Sequence, residues 1–202
     1  MNLLTQNTKL KRTSKQLGVR VFNFGIPAYK SASGKLTCPF ADKCIEFCYA
    51  RKGAYAWSNV QPAFEKRYQI TKQHDFVDIM SVEIAKKKPS YVRVHDSGDY
   101  YSKAYLHKWL EIAAIHPHIK FYSYTNCVEM LKNVDLPDNY DIIYSDSGKQ
   151  KAMIDKTEDR HTRIFHSHTE LIACGYVDAS KIDLYATKWF SQDNNNVGLI
   201  AH

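Results

Sequence analysis

Residues 91–124 read YVRVHDSGDYYSKAYLHKWLEIAAIHPHIKFYSY, and this stretch decides the fold class. It opens on YVRVH (91–95), an alternating β-branched and aromatic run that reads as a strand. Asp96-Ser97-Gly98-Asp99 then breaks the pattern with small and acidic turn residues. Ser102 is placed to cap a helix on which Tyr105, Leu106, Trp109, Ile112 and Ala113 share an apolar face, closed by His116-Pro117. KFYSY (120–124) is a further strand. Strand, helix and strand in that order form the crossover unit of a parallel sheet.

The same alternation extends in both directions. Upstream, VRVFNF (19–24) reads as a strand, followed by a long loop punctuated by Gly25, Pro27, Ser31, Ser33 and Gly34. A helical pattern runs from about Trp57 to Lys86. Downstream come a short helix at 128–134, strands YDIIY (140–144) and TRIFH (162–166), a short helix near 169–177 and a last strand near 183–190. Residues 1–18 are polar and basic and are expected to form a loosely held arm ahead of a single α/β domain over 19–202. The units are too few for an eight-fold barrel, so the expected fold is α/β, a partial or open (β/α) barrel with a mostly parallel sheet.

Composition narrows the function classes. No apolar run approaches the ~20 residues that span a bilayer, and the N-terminus carries no apolar signal core, so a soluble cytoplasmic protein with no membrane partner is expected. The net charge of +7 is unevenly placed. The first carboxylate is Asp42, and every excess positive charge lies before it. Residues 9–35 could therefore contact nucleic acid, or serve only as a solvated basic segment.

Chemistry-bearing residues gather where ligands bind in such folds, at the carboxyl ends of the strands. The loop after the first strand carries Cys38, Cys44 and Cys48, spaced C-x5-C-x3-C. Three thiolates converging on one centre repel unless a cation neutralises them, so the triplet points to a metal centre. A [4Fe-4S] cluster suits three thiolates in one loop; zinc would need a fourth ligand from Cys127, Cys174 or a histidine, and the C-x2-C knuckle of zinc fingers is absent. The second strand delivers His95, Asp96, Ser97, Gly98 and Asp99, a candidate ligand-binding edge in which an aspartate could hold an ammonium or a ribose hydroxyl. His166 and His168 could converge at the end of a later strand, and Tyr100 and Tyr101 could wall a pocket.

These motifs carry a resemblance. Thr37-Cys38-Pro39, Cys44, Cys48-Tyr49-Ala50, the block Val92 to Asp99 with Tyr105 and Trp109, Phe121 to Thr125 and Val197-Gly198-Leu199-Ile200 resemble the phage gene product 88 family over roughly residues 20–202. The resemblance implies a phage-encoded protein working in the infected host cell. That family's pattern has a further cysteine cluster near the C-terminus, where this chain keeps only Cys174. A looser likeness, at the level of fold, is to radical S-adenosylmethionine enzymes. They place a three-cysteine loop after the first strand of a partial barrel and an acidic-glycine turn after the second. That likeness implies an iron–sulfur site and, beyond it, S-adenosylmethionine or another small-molecule ligand. The other function class is a non-catalytic zinc or redox-sensing protein that binds nucleic acid.

Overall fold

A computed structural model describes residues 2–46 and 48–201. Seven strands form one sheet: β1 (Val21–Phe24), β2 (Tyr91–Val94), β3 (Lys120–Thr125), β4 (Tyr140–Ser145), β5 (His161–Phe165), β6 (Val177–Asp178) and β7 (Asn196–Ile200). Their order is β1-β2-β3-β4-β5-β7-β6 and every pairing is parallel. The sheet curls into a half-barrel. Among the described residues, six α-helices accompany it: α1 (Thr8–Leu17), α2 (Gln61–Thr71), α3 (Phe76–Lys87), α4 (Lys103–Ile115), α5 (Val128–Lys132) and α6 (His168–Ala173). The expected α/β partial barrel is the architecture found.

Two apolar cores follow from strand parity, since successive side chains alternate between the faces. Val92, Val94 and Phe121 point outward and pack with Phe76, Met80, Leu106 and Trp109 of α3 and α4. Val21, Tyr91, Tyr122, Ile143 and Val197 point inward and pack with Leu10 of α1 and with Leu184 and Ala186. Ser102 caps α4 as expected, its hydroxyl accepting from the Tyr105 N–H at 3.2 Å.

Three expectations change. The basic segment read as a loose arm contains α1, capped by the Asn7 side chain and ended by Gly18 at φ +65°, with Leu10 and Thr13 fully buried. The long helical pattern from Trp57 is two helices, separated at Lys72–Asp75. Residues 183–190 are not a strand: Asp183–Ala186 form a 3-10 turn, and the sheet is completed instead by β6 and β7. Leu184 and Ala186 alternate as strand residues do, but the chain turns here and buries Asp183 inside the half-barrel.

Candidate functional site

A cleft of about 480 Å³ opens at the carboxyl ends of the strands. Cys38, Cys44 and Cys48 line it, and so do His95, Asp96, Ser97, Gly98 and Asp99. Chain geometry explains why two segments some fifty residues apart meet. β1 and β2 are parallel neighbours, so the loops leaving both emerge side by side. The loops are then tied: Ile26 N–H donates to the Ser97 carbonyl at 3.0 Å, and Asp99 N–H to the Thr37 carbonyl at 2.9 Å. Gly98 sits at φ +82°, and a Cβ there would lie 2.2 Å from Ile26 Cγ1, so the approach needs glycine for both reasons.

The acidic turn is braced tightly. One Asp99 oxygen accepts from Tyr100 N–H (2.8 Å) and Thr125 hydroxyl (2.6 Å), the other from Asn126 N–H (2.9 Å). This carboxylate thus locks the β2 loop to the β3 loop; the helix cap is Ser102. Burial raises the Asp99 pKa while those donors oppose the rise. Asp96 is also raised by burial and accepts from the Tyr55 hydroxyl at 2.9 Å. His95 has a positive φ of +67° and turns its ring toward α4, where Nε2 pairs with the Tyr105 hydroxyl at 2.9 Å. Burial, helped by the Arg93 charge, pushes its pKa down to about 3, so the imidazole is neutral at pH 7.

The sulfur side is furnished with donors. Tyr29 N–H donates to Cys38 Sγ at 3.3 Å, and Asn126 Nδ2 stands 4.0 Å from Cys44 Sγ. Burial first, then Asp99 and the neighbouring thiols of Cys48 and Cys44, push the Cys38 pKa up. Burial likewise raises Cys44. Thiols with N–H groups directed at sulfur, here the Tyr29 N–H at Cys38 and the Asn126 amide at Cys44, are the residue types that ligate an iron–sulfur cluster. Among the described residues, no three His, Cys, Asp or Glu side chains are gathered closely enough to hold a single metal ion. Cys127 is fully buried and donates its thiol to the Tyr100 carbonyl at 3.2 Å; Cys174 is exposed at the end of α6.

Other expected site residues lie elsewhere. His166 and His168 are not part of the cleft; His168 faces a separate pocket with Lys9 and Arg12, 3.7 Å from Asp178. Tyr100 is fully buried with its hydroxyl on Tyr140, and Tyr101 stacks on Tyr105. Tyr100 belongs to the core on the α4 side, and Tyr101 packs half-buried against it. Lys9 is not a free surface charge: its ammonium is 2.6 Å from Asp183.

Sequence reasoning missed the polar floor of the cleft. Asp183 is fully buried and meets Arg93 Nη1 at 3.2 Å, the Tyr122 hydroxyl at 2.6 Å and Lys9. Burial alone would raise its pKa, but Arg93 and Lys9 outweigh burial and hold it at about 2. Arg93 Nη2 also donates to the Tyr49 hydroxyl at 3.1 Å, which in turn donates to the Asp96 carbonyl at 2.5 Å. Arginine inside an otherwise apolar strand was the available signal, since such a charge is buried only when paired.

Comparison with known proteins adds a family. The model of the family described as Gene product 88 matches residues 1–201, and the chain belongs to that family. The Gene 88 protein of Mycobacterium phage L5 is 25% identical over 162 residues, covering 67% of this chain and 66% of its own length. The Gene 88 protein of Mycobacterium phage D29 is 25% identical over 152 residues, covering 63% and 62%. The chain thus spans slightly under two thirds of the length of these curated relatives. No solved structure matches it.

Proposed function

We propose that this member of the Gene product 88 family is an iron–sulfur protein whose Cys38, Cys44 and Cys48 hold a [4Fe-4S] cluster at the mouth of a small-molecule cleft. One observation carries the reading: three thiols from a single loop line the same cleft as the buried His95–Asp99 edge. A cluster with three cysteine ligands keeps one iron open to an exchangeable ligand, and the cleft supplies the space for it. The chain's own residues do three things there. The N–H of Tyr29 and the amide of Asn126 are directed at sulfur. Gly98 brings the acidic turn against the cysteine loop. Asp99 fixes the neighbouring loops so that the wall is rigid. A ligand ammonium would find Asp96 the freer carboxylate, because Asp96 Oδ1 has no partner while both Asp99 oxygens are taken. S-adenosylmethionine remains a ligand of the right class for an open iron, resting on the fold-level likeness alone.

The test is iron content after anaerobic purification. Cys38→Ser, Cys44→Ser and Cys48→Ser should each lose bound iron, while Cys127→Ser and Cys174→Ser keep it. Full iron in all three of the first set, or its loss in either of the second, overturns the assignment.

A further inference from the structure

Buried polar groups nearly always find partners, and leaving one without costs about 1–3 kcal/mol. The cleft breaks this rule twice, at its loop edge, where His95 Nδ1, Asp96 Oδ1 and Asn126 Oδ1 have no partner, and on its concave wall. Arg93 Nε, the Tyr124 hydroxyl and the Thr162 hydroxyl are buried without any hydrogen-bond partner, and all three residues line the cleft. Register puts them on one wall. Arg93 of β2 lies opposite Tyr122 of β3, Tyr124 follows on the same face, and Thr162 of β5 is opposite Ser145 of β4. The Arg93 guanidinium stands 4.7 Å from the centre of the Tyr124 ring. Every one of these three atoms can donate a hydrogen bond.

Charge points the same way. Arg93 and Lys9 share the single buried carboxylate of Asp183, which leaves that cluster one positive charge in excess. Of the carboxylates lining the cleft, Asp99 is held by three donors and Asp146 by Lys156 at 2.8 Å, while Asp96 accepts from Tyr55 through one oxygen and keeps the other unpartnered at the loop edge.

We infer that the concave wall is a binding subsite for the oxyanion of a small ligand, a carboxylate or a phosphate, held by Arg93 Nε and the Tyr124 hydroxyl. Neighbouring strands are about 4.8 Å apart, so β2 to β5 covers roughly 14 Å. That is too long for one ion and fits a metabolite-sized molecule whose oxyanion sits at the Arg93 end and whose further polar group meets Thr162. This deepens the reading of the same cleft but does not require the cluster.

The experiment titrates the full-length, anaerobically purified protein with inorganic phosphate and, separately, with acetate, following binding by calorimetry and melting temperature. The wild type should bind at least one, and the tighter of the two identifies the oxyanion. Tyr124→Phe removes only the unpartnered hydroxyl. It should weaken binding about tenfold or more, as expected for a hydrogen bond to a charged group, while its ligand-free melting temperature is unchanged or higher. Iron is measured on the same samples. A wild type that holds iron but binds neither anion, or a Tyr124→Phe variant that binds as tightly as wild type, overturns the subsite. Anion binding that depends on Tyr124 in a protein without iron upholds the subsite and fails only the cluster.

Discussion

His95 shows how a single residue ties the strand end to the core. It ends β2 in a left-handed conformation that favours glycine or asparagine, and it keeps a neutral ring against Tyr100 and Tyr105. Its pKa is about 3 in the fold against an ordinary value near 6.5 in the unfolded chain, so below pH 6.5 the unfolded state binds the extra proton. Stability from this residue is therefore present above pH 6.5 and is lost as pH falls toward 3. His95→Asn, which suits the backbone and does not titrate, should remove that dependence. Between pH 6 and 4 the wild type should lose up to roughly 1.4 kcal/mol per pH unit more than the variant in denaturant titrations. Equal slopes would show that His95 is not buried neutral. The residue was visible in the sequence as the end of a strand, but its role was not. Which way a side chain turns at a strand terminus depends on a positive φ that no periodicity encodes.

At the scale of elements, β1 to β5 and the capped helix α4 were legible because local alternation and capping agree with burial. Helix α1 was not. TKLKRTSKQL offers few apolar positions, and its buried contacts are long-range: Lys9 pairs with Asp183, and the Asp183 N–H donates to the Thr13 hydroxyl at 2.9 Å. Asn7 and Gly18, the residues that bracket it, were the only local signal. Strand β7 was hidden by Gly198, a residue strands disfavour; a Cβ there would lie 2.4 Å from Leu171, so the glycine is the condition for α6 to pack on the sheet. The junction of α1 with the turn at 183–186 has a measurable consequence. Asp183→Asn would leave Arg93 and Lys9 without their shared counter-charge, which should destabilise the protein by about 3–5 kcal/mol at pH 7. The wild-type contribution of this carboxylate is present above about pH 4 and lost as pH falls through about 2, because its folded pKa lies below the unfolded one. Chemical denaturation of both proteins checks it; a difference under 1 kcal/mol would mean that the cluster is not charged as described.

For the molecule as a whole, the half-barrel accounts for the gathering of the site. Parallel strands deliver every loop after β1, β2, β3, β4 and β5 to one edge, so cysteines and acidic turn meet without any sequence proximity. The cysteine triplet and the 95–99 turn could be singled out from spacing and turn chemistry. The Arg93–Asp183–Lys9 floor could not, because its members come from β2, a late turn and the first helix. Among the described residues no helix is long and apolar enough to cross a membrane. The account's central claim is that the three-cysteine loop carries a cluster rather than a single ion, and acid-labile sulfide separates the two, since only a cluster contains inorganic sulfide. Anaerobically purified wild type should yield sulfide in about equal amount to its iron, and the protein with Cys38, Cys44 and Cys48 all changed to alanine should yield none. Bound zinc or iron without sulfide in the wild type, or sulfide retained by the triple variant, would contradict it.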